Sequence, residues 1–186
     1  MRSAEPLSMR QAWYNPFIRE KSLADFRRYE AQGLFGAQEG RALRGVLERF
    51  YENLSSAVPV LNHGDITMDN LLWHGGSVVS LIDFETSVIA PPQLDLHSMA
   101  NLAFFSEGMI YVEDTIELFR PLLSQKGEVD LLLGYAVLFR QRFLEFWLEK
   151  PKGKPGRQEC YRKLVSLSDG KGGYLAEVIA ACGHIL

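Results

Sequence analysis

The chain has 186 residues, 47% of them hydrophobic and 23% charged, with a net charge of -3. That is the ordinary globular balance, enough for one domain burying roughly two-thirds of its unfolded surface, and it excludes a disordered or fibrous chain. Mild acidity without a long basic run argues against nucleic acid as a partner, because Lys150, Lys152, Lys154 and Arg157 are interleaved with prolines and glycines that mark a solvated loop.

In chain order, Met1 to Glu20 lacks the apolar core of a signal peptide. A short helix is predicted over Ser22–Ala31 and an amphipathic one over Gln38–Leu54, where Leu43, Val46, Leu47, Phe50, Tyr51 and Leu54 recur at three- and four-residue steps. Gly33, Gly36 and Gly40 between and inside them match no phosphate-loop pattern, and they follow a helix where a strand is required. From Val58 the pattern changes. Short apolar runs, Leu71–Trp73 and Val78–Ile82, flank Gly75-Gly76 and predict a small central β-hairpin. After Pro91-Pro92, helices are predicted over Asp95–Phe105, Tyr111–Arg120, Glu128–Leu148, Gln158–Leu167 and Tyr174–Ile185. Asp130, Arg140, Arg142 and Glu145 interrupt the most apolar of these, so no membrane span is expected. Cys160 and Cys182 have neither metal-ligand spacing nor a disulfide framework, which fits a cytoplasmic setting. The expected fold is mainly α (α+β), a single domain over residues 1–186.

The chemistry is expected in the polar loops flanking the hairpin. Asp65 and Asn70 lie on the loop before its first strand and Asp83 at the end of its second, so the fold-back returns Asp83 to the side it left. Phosphoryl transfer from ATP needs such a set: a carboxylate to orient the acceptor hydroxyl and take its proton, and an amide oxygen with a second carboxylate to hold magnesium. Asp65 is therefore the candidate catalytic residue, and Asn70 and Asp83 the candidate metal ligands.

The segment from His63 through Gly64 and Asp65 to Asn70 resembles the H-G-D-x-x-x-x-N loop of the aminoglycoside phosphotransferase and choline kinase family, and Ile82-Asp83-Phe84-Glu85 resembles its I-D-F-E metal loop. Asp95-Leu96, after Pro91-Pro92, resembles its P-x-x-D-L element. The resemblance implies the helical C-terminal lobe of a protein-kinase-like fold, with ATP and Mg2+ as cofactors and a small-molecule hydroxyl as acceptor. It also implies that Asp95 bonds the catalytic loop from behind and that His63 packs beneath the metal loop. Glu85 is left between tuning the magnesium shell and capping the next segment. Gly64 stands where protein kinases carry arginine, so no phosphorylated activation-loop switch is expected.

Trp73, Phe84, Phe104, Phe105, Phe139, Phe143, Phe146 and Trp147 are read as core. Asp69 and His74 are read as exposed. Glu107, Glu113, Asp114 and Glu117 follow the metal loop, where a cationic acceptor would find them, although such spacing also marks a wet helix face. The motifs do not choose the acceptor, and substrate-binding residues stay unassigned. Before His63 the only lysine is Lys21, and too few residues remain for an ATP-binding N-terminal lobe. The chain is accordingly expected to be a truncated form, inactive alone, requiring the missing lobe or a second chain over its exposed face. The alternative is an inactive pseudo-kinase or partner-binding module.

Overall fold

The computed structural model describes residues 16–105, 117, 119–148, 155–169 and 172–183. Helix α1 is Pro16–Ala31 and α2 Ala37–Leu54. Gly33 makes the turn between them at φ 67°, and Gly36 caps α2, its N–H donating to Glu39 Oε2 at 2.9 Å. The predicted stripe of α2 is its buried face, with Leu43, Val46, Leu47, Phe50 and Leu54 inside. Helix α1 begins at Pro16, upstream of the predicted Ser22, and its Phe26 and Tyr29 are buried.

Four strands follow, β1 Val60–Asn62, β2 Leu71–His74, β3 Ser77–Leu81 and β4 Val88–Ala90. Strands β2 and β3 form the predicted hairpin, pairing Leu71 with Leu81 and His74 with Ser77 around Gly75 and Gly76. Those glycines sit at φ 59° and 82°, the left-handed pair that a tight two-residue turn demands. A second antiparallel ribbon pairs Val60 with Ala90 and Asn62 with Val88. The single expected hairpin is therefore one of two ribbons, and the β1–β4 pair clamps the segment that contains both polar loops.

Helix α3 is Gln93–Phe105, α4 Lys126–Leu148, α5 Pro155–Ser166 and α6 Ala176–Ala181. The helix expected over Tyr111–Arg120 lies almost wholly outside the described residues, as do Glu107, Glu113 and Asp114. The last helix stops at Ala181, short of the predicted Ile185. Helix α4 packs against α2, α3 and α5. Its Leu132, Val137 and Leu144 join Leu43, Leu47 and Phe50 of α2 in one apolar core. At the α2–α4 seam Asp130 is nearly buried, and Arg49 Nε donates to it at 3.0 Å. Among the described residues no helix is long and apolar enough to cross a membrane.

Two aromatic expectations are corrected. Trp73 is 40% exposed and Phe84 51%, with Val79 at 60% beside them. The β2–β3 hairpin packs inward only through Leu71 and Leu81 onto a small cluster with Ile66, Met68 and Met99. No second layer among the described residues covers its outer face. Phe139 is half-buried in α4, and the side chains of Phe104, Phe105, Phe143, Phe146 and Trp147 lie outside the described set.

Candidate active site

The loop from His63 to Asn70 is held by its neighbours through hydrogen bonds at His63, Gly64, Asp65 and Asn70. Asp95, in the first turn of α3, accepts the main-chain N–H of His63 at 2.7 Å and of Gly64 at 2.9 Å. Asn62, buried at the end of β1, donates to Ala90 O at 2.7 Å and accepts the N–H of Asp95 at 3.4 Å, tying the start of α3 to the ribbon. His63 is buried, and its Nε2 makes a 2.8 Å hydrogen bond with the carbonyl of Ile82, the residue before Asp83. The His63 and Phe84 rings meet edge to face at 4.5 Å. Thr86 donates its hydroxyl to His63 O at 3.2 Å. His63 thus joins the two loops through backbone bonding, which occupies its ring.

Gly64 shows why this position has no side chain. Its φ is 83°, and a Cβ there would lie 2.5 Å from the carbonyl oxygen of Thr86. Any larger residue forces the two loops apart.

Asp65 is exposed, and Asn70 is buried at the end of a 3-10 turn, Met68–Asn70. Asn70 Nδ2 donates to Asp65 O at 2.8 Å and lies 3.4 Å from Asp65 Oδ2. That commitment assigns the amide and leaves Oδ1 as its acceptor face. Asn70 O in turn accepts the N–H of Ile82 at 3.0 Å, so Asp83 follows the residue bonded to Asn70 on one side and His63 on the other. Asp83 has φ 64° and ψ 63°, making it the only non-glycine at positive φ among the described residues. Aspartate tolerates this conformation better than most residues, and the strain persists because the surrounding bonds impose it. Asp65, Asn70 and Asp83 are thus brought to one edge of the β2–β3 hairpin.

No group of three or more His, Cys, Asp or Glu side chains that could hold a metal ion exists among the described residues. The Asn70 amide oxygen and the Asp83 carboxylate, on loops joined by the Asn70 O to Ile82 N–H bond, could supply a smaller, all-oxygen donor set. It fits magnesium, which keeps several waters and takes one or two protein carboxylates beside phosphate oxygens. Glu85 and Asp69 are both exposed beside this edge, and His74 is exposed at the hairpin turn.

A cavity of about 510 Å³ opens on the side of the loop facing the helices, and Asp65 lines it. Its floor comes from α3 and α4, with Leu94, His97, Ser98, Tyr135, Phe139 and Arg142 among the lining residues. None of these was singled out from the sequence as a binding residue, since Tyr135 and Phe139 at helical spacing look like ordinary core. Glu117, the one described member of the acidic set, is exposed and does not line this cavity.

His97 is fully buried, its ring edge-on to Phe139 at 5.1 Å. Burial, then the positive charges of Arg140 and Lys163, push its pKa down from 6.5 to about 3. The unfolded chain therefore binds a proton near pH 6.5 that the folded chain refuses until about pH 3. The stability contributed by neutral His97 is complete above pH 6.5 and is lost as pH falls through that window, at up to about 1.4 kcal/mol per pH unit. Urea unfolding at pH 7.5, 6 and 5 should show this slope, and His97→Gln should lack it. Parallel profiles for the two proteins would refute the assignment.

A sequence model of the phosphotransferase enzyme family matches residues 2–127, a stretch that contains both loops, Asp95 and β1 to β4. No curated protein and no solved structure matches the chain.

Proposed function

The chain belongs to the phosphotransferase enzyme family, and from that premise we propose that it is the helical C-terminal lobe of a protein-kinase-like enzyme that phosphorylates a small-molecule hydroxyl with Mg-ATP. The observation that carries this reading is the linkage of the two loops through Asn70, whose side chain holds Asp65 while its carbonyl holds Ile82 beside Asp83. Asp65 orients the acceptor hydroxyl and takes its proton as the oxygen attacks the terminal phosphorus. The new O–P bond forms as the bond to the β-phosphate oxygen breaks, and ADP leaves. Asn70 Oδ1 and the Asp83 carboxylate would hold the metal. The chemistry such an ion would supply is neutralisation of the charge that develops on the nucleotide phosphates. A phosphate-covering lobe with a lysine, from elsewhere in the protein or from a second chain, completes the site in this reading. A cytoplasmic setting suits an ATP-dependent enzyme with Cys182 as a buried free thiol.

One observation favours a second reading, a partner-binding module without turnover. Leu72, Trp73, Val78, Val79, Ile82 and Phe84 are all exposed along one segment, an apolar surface of the kind that marks an interaction site.

Magnesium dependence separates the two. In the full-length protein, Asp83→Ala should raise the Mg2+ concentration for half-maximal ATP turnover roughly tenfold or more, by loss of an ionised ligand. Asp83→Gly, which relieves the left-handed backbone and lacks the carboxylate, should do the same. An unchanged Mg2+ requirement in both variants would discard Asp83 as a ligand, and a wild-type protein without turnover would favour the binding module.

A further inference from the structure

The cavity beside Asp65 has a chemical character that bears on which alcohol enters it. Tyr135, Phe139 and Arg142 stand at i, i+4 and i+7 on α4, so one helix face presents two aromatic rings followed by a guanidinium. Leu94 and His97 of α3 complete the wall. Because burial keeps His97 uncharged at neutral pH, it adds no second cation. Among the described residues that line the cavity, Asp65 is the only acidic one, and Arg142 the only basic one besides the neutral His97. None of the ion pairs among the described residues includes Arg142.

We propose that this cavity takes an acceptor with an apolar, ring-sized body that carries a carboxylate as well as the reacting hydroxyl, the carboxylate pairing with Arg142 while the hydroxyl meets Asp65. The proposal rests on the reading of Asp65 as the residue that orients the acceptor. A guanidinium offers two parallel N–H donors that match a carboxylate, and the exposed position of Arg142 spares the pair a full desolvation cost. A volume near 510 Å³ suits a small organic molecule. A polycationic alcohol, by contrast, meets among the described lining residues one carboxylate, which the hydroxyl already needs, and an arginine that repels it.

Three nearly isosteric probes test this: 3-phenyllactate, 3-phenylpropane-1,2-diol and phenylalaninol, which differ in carrying a carboxylate, a neutral hydroxyl or an ammonium. Each is titrated calorimetrically into the full-length protein and its Arg142→Gln variant without nucleotide. The expected order is phenyllactate tightest, by roughly tenfold or more over phenylalaninol, from one charge-assisted pair. Arg142→Gln should abolish that preference and leave affinity for the diol within about twofold, with an unchanged melting temperature confirming that the exposed substitution leaves the fold intact. Equal or tighter binding of phenylalaninol, a preference that survives in Arg142→Gln, or no binding of any probe at millimolar concentration would overturn the proposal. Failure of the underlying reading looks different. Selective, Arg142-dependent binding of phenyllactate with no phosphoryl transfer from Mg-ATP would remove the kinase reading and leave the anion preference standing, whereas transfer that favours phenylalaninol would do the reverse.

Discussion

Asp65→Ala in the full-length protein is expected to lower kcat for phosphoryl transfer by roughly 10²–10⁴-fold, the usual contribution of a positioned general base, with nucleotide affinity within about twofold of wild type. Its stability should change by less than about 0.5 kcal/mol, as for a surface substitution away from caps and networks. The reason is visible in the loop. Asn70 makes its 2.8 Å bond to the main-chain oxygen of Asp65, which alanine retains, while the carboxylate is exposed and has only a 3.4 Å contact with the same nitrogen. The carboxylate is thus nearly redundant for folding, and a conformationally intact but inactive variant is the expected result. Steady-state kinetics with a thermal melt on the same sample check both halves. Retained turnover would reject the assignment of Asp65, and a melting temperature lowered by several degrees would show that the loop depends on the side chain after all.

Asp95→Ala should behave in the opposite way. Here both carboxylate oxygens are in use, accepting the amides of His63 and Gly64 at 2.7 and 2.9 Å. Hydrogen bonds to a charged group contribute about 1.5–3 kcal/mol each, and alanine leaves two donors without a partner in a half-buried place. We expect a loss on the order of 3 kcal/mol, which for a domain of this size lowers Tm by roughly 6–12 °C. Activity should fall with it, because the loop that presents Asp65 loses its rear support. Asp95→Asn should recover little. An amide supplies one acceptor, and its NH2 group would face one of the two backbone donors. Calorimetric melts of both variants check this, and a Tm loss below about 2 °C in Asp95→Ala would contradict the structural role.

Most of the helical frame was legible from periodicity alone. The stripe on α2 is buried as its spacing predicts, and Gly75-Gly76 makes the turn that such a pair favours. The β1–β4 ribbon was not legible. Val88–Ala90 is three residues long, too short to display an alternating pattern, and its partner lies on the far side of both loops. Trp73 and Phe84 were misread because an apolar residue in a short strand says nothing of whether a second layer covers it. In the candidate site, the approach of Asn70 to Asp65 follows from their spacing on one loop, but the identity of the bonded oxygen does not. Asn62 and Thr86 gave no signal, since each acts through backbone contacts that only the fold creates. The same holds for the cavity wall. Tyr135, Phe139 and Arg142 share a helix face, a pattern identical to ordinary core until α3 supplies the opposite side.

We propose that Asp65, held by Asn70 beside the loop that carries Asp83, serves transfer of a phosphoryl group to an alcohol. Phosphorus NMR of the full-length protein incubated with Mg-ATP and a panel of hydroxyl compounds tests it most directly. The expected result is a new phosphomonoester resonance that grows in step with ADP in the wild type and is absent with Asp65→Ala. ADP accompanied only by inorganic phosphate, or ester formation undiminished in Asp65→Ala, would contradict it.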